Sequence, residues 1–268
     1  MNLNNIINLL NEEVKLKEHE SWDNSGLQLG SMEVNINKIM LTLDINKEAI
    51  EYAVQHKVDL IITHHPFFFG SIRKIDFDTY DGEIIKMLIK ENINVYSMHT
   101  SYDMADKGVT YSLAKRLNIL NYQVLHPINI DNSGYGGIGD VAPVNIIEYT
   151  KLVKEALGAE YVKLYCNGEK TVRRVAFCGG SGGEFIEDAI RQKADLYITG
   201  DIKYHQAQEA VKNNLCIIDA GHYNTEIYSM ETLMEVLEKT GLEIINFKKN
   251  ITAEKIIYRW IWIRILNI

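Results

Sequence analysis

Val58-Asp59-Leu60-Ile61-Ile62-Thr63-His64-His65-Pro66 is an apolar run of one buried strand's length that ends in two adjacent histidines and a proline. Proline holds the residue before it extended and cannot continue a sheet ladder. His65 is therefore read at the carboxyl edge of a strand, where α/β sheets place their ligand crevices. Neighbouring side chains on an extended chain point opposite ways, so His64 and His65 can serve two different metal ions. Upstream, Ile39 to Leu43 reads as a strand. Ala49, Ile50, Ala53 and Val54 then form the inner face of a helix that Asp44 or Asn46 can cap. This strand–helix–strand order implies a parallel pair with a right-handed crossover.

The geometry recurs downstream. Phe67-Phe68-Phe69 follows the histidines, either as a hydrophobic loop rim or packed on a neighbour. A helix over 82–91 feeds a strand over 93–98 that ends in His99-Thr100-Ser101-Tyr102-Asp103, and a helix over 108–118 follows. A strand over 215–219 ends in Asp219-Ala220-Gly221-His222-Tyr223-Asn224-Thr225-Glu226, before a helix over 226–239. Three strand ends thus offer His64 and His65, then His99 and Asp103, then His222 and Glu226. Imidazole with carboxylate suits zinc, iron, manganese or cobalt, whereas magnesium and calcium want oxygen alone. Five ligands exceed one catalytic zinc with an open position, but fit two ions that share a bridging carboxylate.

Blander readings stand beside this one. His222 with Glu226 can be a helix cap with an acidic first turn. His99 can bond the adjacent loop and is read as near the site rather than in it. His19, His56 and His126 sit in helix or loop surroundings without clustered acids and are read as ordinary histidines.

The second half repeats parts of the first. His126-Pro127 and the run Asn132-Ser133-Gly134-Tyr135-Gly136-Gly137-Ile138-Gly139-Asp140 read as turn-forming, and a domain boundary is placed there. Residues 1–125 with about 220–268 form one expected α/β domain, and 126–219 the second. Ile146 to Leu157 reads as a helix, and Tyr161 to Cys166 and Val172 to Cys178 as strands. Gly179-Gly180-Ser181-Gly182-Gly183 then joins a strand to a helix, either as an anion cradle or as a tight turn without ligand. Ala194-Asp195-Leu196-Tyr197-Ile198-Thr199-Gly200-Asp201 echoes 58–65, which suggests two related halves facing one cleft.

Composition bounds the function. The chain has 268 residues, 46% of them hydrophobic and 24% charged, as in a soluble globular protein. A net charge of −8 argues against general nucleic-acid binding, since no excess of Lys and Arg exists to displace phosphate counterions. Cys166, Cys178 and Cys216 are odd in number and far apart, so all three are expected as small buried apolar residues in a reducing, cytoplasmic setting. No basic-then-apolar leader is expected at the N-terminus. No stretch reaches the roughly 18 to 20 apolar residues of a membrane span.

Several of these segments together resemble one family. Ile61-Ile62-Thr63-His64-His65-Pro66, His99-Thr100-Ser101-Tyr102-Asp103, Tyr197-Ile198-Thr199-Gly200-Asp201 and Gly221-His222-Tyr223-Asn224-Thr225-Glu226 look like signatures of the NIF-three-like dinuclear metal proteins. These are known also as GTP cyclohydrolase I type 2 homologues. Trp22-Asp23-Asn24-Ser25-Gly26-Leu27 matches that family's N-terminal loop, and the resemblance covers roughly residues 1 to 247. It implies that His64, His65, Asp103, His222 and Glu226 ligate two divalent ions. It also implies a two-domain α/β fold and a ring-shaped homohexamer. If the family's attributed reaction applies, guanine C8 is attacked by activated water, with His205 as a proton shuttle from its position.

The expectation is a cytoplasmic metal-dependent hydrolase of a nucleotide-like substrate, with largely parallel mixed sheets and a metal cleft at their strand ends. A non-catalytic metal-binding or regulatory scaffold and a phosphoesterase are the alternatives. The apolar segment 256–268 departs from the family's pattern. An alternating strand in the oligomer, an interfacial segment and an altered gene end are the readings open to it.

Overall fold

In the computed structural model, residues 1–128, 131 and 133–250 are described; the apolar segment 256–268 lies outside them. The chain opens with helix α1 (Leu3–Val14), whose N-terminus is capped by the Asn2 side chain. It buries Leu3, Ile6, Ile7, Leu10 and Val14, the three-and-four spacing of one helical face. There follow β1 (Gly26–Leu29), β2 (Lys38–Thr42), α2 (Lys47–Gln55), β3 (Leu60–Thr63), α3 (Tyr80–Lys90) and β4 (Asn94–Ser97). Of the two candidate caps for α2, Asn46 does it, accepting from the Ala49 amide at 2.7 Å.

Two short helices, α4 (His99–Asp103) and α5 (Val109–Leu117), lead to the second sheet. There the chain forms β5 (Tyr122–Pro127), β6 (Gly134–Asn145), α6 (Ile146–Ala156), β7 (Lys163–Tyr165) and β8 (Thr171–Phe177). After a 3-10 turn at Gly183–Phe185 come α7 (Ile186–Arg191), β9 (Leu196–Thr199), α8 (Tyr204–Lys212) and β10 (Cys216–Asp219). The return to the first sheet runs through α9 (His222–Glu226), α10 (Ser229–Leu237) and β11 (Glu243–Asn246).

The first sheet has the order β1-β4-β3-β2-β11, parallel throughout except for the β1–β4 pair. The second has the order β5-β6-β8-β9-β10-β7, parallel at its centre and antiparallel at its edges. The fold is α/β with two mixed sheets of mostly parallel strands. β3 and β9 are buried along their whole length, which is why each reads as an unbroken apolar run. Alternate residues separate two cores on the first sheet. Ile39, Leu41, Leu60 and Ile62 pack on the side of α1 and α10, and Met40, Ile61 and Val95 on the side of α2 and α3. Each fully buried Ile or Leu contributes about 1.5–3 kcal/mol.

The echo between 58–65 and 194–201 has a hydrogen-bonded basis. Asp59 Oδ2 accepts from the amides of Asn37 and Lys38 at 2.8 and 3.0 Å. Asp195 Oδ2 accepts from those of Arg173 and Arg174 at 2.8 and 3.0 Å. In each half the aspartate immediately precedes one strand and ties down its parallel neighbour next to where their pairing begins.

Two expectations are corrected. The glycine-rich run is not a turn: Gly134–Asn145 is one strand, paired with both β5 and β8. Its glycines are there for close approach, since a β-carbon on Gly137 would lie 2.4 Å from the Phe177 ring. Nor are all three cysteines buried apolar residues. Cys178 is, at 5% exposure, but Cys166 and Cys216 form a disulfide. The β7–β10 register, with Tyr165 opposite Ile217, brings their Cα atoms to 4.6 Å across 50 residues of sequence. The reducing compartment inferred from three free thiols loses that support.

Candidate metal-binding cleft

β3 keeps pairing past its last residue. The His64 and His65 amides donate to the Thr42 and Leu43 carbonyls at 3.2 and 3.0 Å, so both histidines are held against the end of β2 as the chain bends out of the sheet. Thr63 Oγ1 donates to the His65 carbonyl at 2.7 Å and locks that exit. Next to it, β4 ends at α4, which carries His99 and Asp103 at its two ends. From the second sheet, β10 ends at α9, whose His222 and Glu226 lie four residues apart on one helical face.

These strand ends converge. His64 Nε2 lies 3.5 Å from Asp103 Oδ1 and 3.6 Å from Glu226 Oε1. His65 Nε2 and His222 Nε2 lie 3.3 and 3.1 Å from Glu226 Oε2, and 3.2 Å from each other. The two adjacent histidines therefore take separate partner sets, joined by the two oxygens of one carboxylate.

The donor chemistry suits a cation. Despite the close nitrogens, Glu226 Oε2 has no hydrogen-bond partner, and neither has His64 Nδ1. Both residues are buried, at 4% and 1% exposure, where an unsatisfied polar atom is costly. Bonds of about 2.0–2.1 Å place tetrahedral ligand atoms roughly 3.3–3.4 Å apart. The His65, His222 and Glu226 Oε2 triangle has edges of 3.1 to 3.3 Å. Ligand atoms of His64, His65 and Glu226 all fall within 4.8 Å of one another, as a group able to hold a metal ion.

Carboxylates behind the imidazoles fix which nitrogen faces inward. His65 Nδ1 lies 2.8 Å from Asp44 Oδ1, His222 Nδ1 2.8 Å from Asp201 Oδ2, and His99 Nδ1 2.7 Å from Asp23 Oδ1. An ionised carboxylate only accepts, so Nδ1 carries the proton and Nε2 is the ring's free nitrogen. Asp23 is fully enclosed and also receives Ser25 Oγ, Thr100 Oγ1 and the Thr100 amide, which anchors the 22–27 loop under His99. Sequence reasoning gave none of these aspartates a role in the site. The available signal was position: Asp44 lies two residues beyond β2 and Asp201 two beyond β9, at the same sheet edges as the histidines.

Without metal the cluster holds protons instead. Burial opposes the charged form of His65, but Asp44 and Glu226 outweigh it and raise its pKa to about 10. His222 is raised to about 9: burial again opposes, while Glu226 and Asp201 prevail. Burial alone would lift the Glu226 carboxyl, yet His64, His222 and His65 hold it well below the usual range. Asp103 is raised, chiefly by burial. Burial also pushes up the Cys178 thiol, which lines the cleft as a protonated group.

The cluster opens into a cleft of about 460 Å³ lined from both sheets by residues including Trp22, His99, His126, Glu184 and Phe185. His99 stands at its wall, its ring 5.6 Å from His64 and 5.8 Å from His65. His205 does not: it is exposed on α8 beside Tyr204 and is not among the lining residues. His126, read from sequence as ordinary, lines the cleft and bonds Asp188 at 2.7 Å. The Gly179–Gly183 turn also borders it. Its Gly180 and Gly182 amides donate to Thr225 and Thr199 hydroxyls at 2.9 and 3.0 Å, so for these two amides the tight-turn reading holds over the anion cradle.

Fold and cleft together define a class: α/β proteins of two mixed sheets whose strand ends share a histidine–carboxylate pocket. The chain belongs to the DUF34/NIF3 (NGG1p interacting factor 3) family, whose profile matches residues 1–253. It is 35% identical over 243 residues to a Clostridium perfringens protein named GTP cyclohydrolase 1 type 2 homolog, covering 89% of this chain and 91% of that one. A Campylobacter jejuni protein of the same name is 34% identical, covering 91% and 95%. Among solved structures, a Bacillus cereus protein related to NIF3 superposes with a TM-score of 0.87 at 22% identity, covering 96% and 99%. That likeness shows the fold. Among the described residues, no helix is long and apolar enough to cross a membrane.

Proposed function

We propose that the chain is a metal-dependent hydrolase of a nucleotide-like small molecule, working through two divalent ions. The observation that carries this reading is Glu226, which offers one oxygen to His64 and the other to His65 and His222. His64, Asp103 and Glu226 would hold one ion, and His65, His222 and Glu226 the other. Such ions, when bound, would lower the pKa of a water molecule to about 7 and stabilise developing negative charge on the reacting groups. Among this chain's own groups, His99 would take up the proton at Nε2, with Asp23 steadying the imidazolium that results. The nucleotide-like substrate rests on the name the relatives carry. His205, outside the cleft, has no support for the shuttle role expected of it.

A ring-shaped homohexamer goes with this reading. Support for self-association comes from exposed apolar groups along one segment, including Phe69, Ile72, Ile75, Phe77 and Tyr80. Light scattering on the eluting protein gives the assembly size.

The test is elemental analysis of purified protein, followed by a nucleotide and phosphoester panel with and without chelator. About two equivalents of zinc, iron, manganese or cobalt per chain, with chelator-sensitive turnover, are expected. Retained metal without such turnover on any substrate would replace the hydrolase with a metal-binding scaffold. His205→Ala is expected to leave metal content and turnover unchanged.

A further inference from the structure

The cleft has a wall that the Glu226 cluster does not use. His126, on β5, is tied through Nδ1 to Asp188, which is 6% exposed and also paired with Arg191. Its ring packs against Phe185 with centroids 4.9 Å apart, and Phe185 in turn stacks on Tyr135 at 5.4 Å and 17°. With Nδ1 tied and the ring held against Phe185, Nε2 is the atom left for a ligand. The same Nδ1–carboxylate tie holds His65, His99 and His222, so each histidine lining the cleft is held in this way. Glu20 and Glu184 add carboxylates to the lining. Among the described residues that line the cleft, none is Lys or Arg. The buried Glu226 carboxylate borders the same space from the side of the cluster.

We propose that His126, with Glu20 and Glu184, grips the end of the substrate that lies away from the Glu226 cluster, and that this end is an N–H-bearing uncharged heterocycle. The ligand class is a nucleobase or nucleoside rather than a nucleoside polyphosphate. With Nδ1 tied to Asp188, His126 presents Nε2, and the Glu20 and Glu184 carboxylates are acceptors that pair with ring N–H and amino donors. A polyphosphate meets two carboxylates and no Lys or Arg on this wall, so its charge is left unmatched. The proposal rests on the nucleotide-like reading above.

The test uses the metal-loaded full-length protein and calorimetric titration with guanosine, guanosine monophosphate and GTP, with metal content measured before and after. Guanosine is expected to bind at least ~10-fold tighter than GTP, and His126→Gln to weaken guanosine ~10-fold with metal retained, as for loss of one hydrogen bond. Glu184→Gln, at an exposed position, should narrow the guanosine-to-GTP ratio. GTP binding as tightly as guanosine, or guanosine affinity unmoved by both substitutions, would overturn the assignment alone. Binding of none of the three probes would remove the nucleotide reading and this assignment with it.

Discussion

A β-carbon on Gly180 would stand 2.2 Å from Glu226 Oε1 and 3.2 Å from His222 Nε2. The bare backbone of this turn is thus one wall of the carboxylate–imidazole cluster. Gly180 also has φ +65°, the left-handed region that L side chains rarely adopt. Gly180→Ala is expected to cost about 1–3 kcal/mol of stability. Metal affinity should fall at least ~10-fold as Glu226 is displaced, approaching the loss seen when an outer-shell partner is removed. Denaturant titration and metal stoichiometry read the two effects separately. Wild-type affinity in this variant would mean that the turn yields without moving Glu226.

The Asp201–His222 contact orients a proposed ligand from behind. Asp201 sits at φ 57°, a conformation kept where a specific contact requires it. Its side chain is 56% exposed, so Asp201→Asn should leave the fold intact while weakening metal binding about 10- to 100-fold. Competition with a chromophoric chelator measures this. Asp44→Asn, behind His65, should behave alike.

Metal uptake should release protons. His65 and His222, raised to about 10 and about 9, are protonated in metal-free protein at neutral pH and must lose their protons to become ligands. Calorimetry in buffers of different ionisation enthalpy should show this release at pH 7.5, and affinity should climb with pH. Stability of the metal-free protein should move the other way. The folded pKa values lie above the unfolded value near 6.5, so the stabilisation is complete below that pH. It is lost as pH rises through 9 to 10. A metal-free melting temperature that rises over this range would contradict the assignment of these protons.

Asp23 behaves oppositely. Burial would raise its carboxyl, but hydrogen bonds from His99, Ser25 and Thr100 prevail and hold it far below the usual range. Its stabilisation is present above the unfolded pKa near 3.9 and fades as pH falls below it. Asp23→Ala strands several enclosed donors and is expected to cost about 1–3 kcal/mol, seen as an earlier denaturation midpoint. A variant as stable as the parent would mean that the 22–27 loop is held by other contacts.

The strand ends were legible because their chemistry is local. An apolar run broken by His64-His65-Pro66, and short segments pairing His99 with Asp103 and His222 with Glu226, announce polar groups at sheet edges whatever the rest of the chain does. The Asp59 and Asp195 echo was visible for the same reason. The carboxylates behind the histidines were not, since Asp23 and His99 are joined only by folding across 76 residues and Asp188 and His126 across 62. The Gly134–Gly139 run misled because its lack of side chains, in isolation a turn signal, serves here to admit Phe177 against a strand.

The sequence by itself determined the α/β class and the residues able to meet a metal, because strand periodicity and ligand chemistry are properties of short segments. Tertiary structure alone decided that Glu226 stands between two sets of nitrogens, that Cys166 faces Cys216, and that His126 rather than His205 looks into the cleft. Those facts depend on strand register and crossover. Both are fixed by burying two faces of each sheet together, and so by residues far apart in the chain.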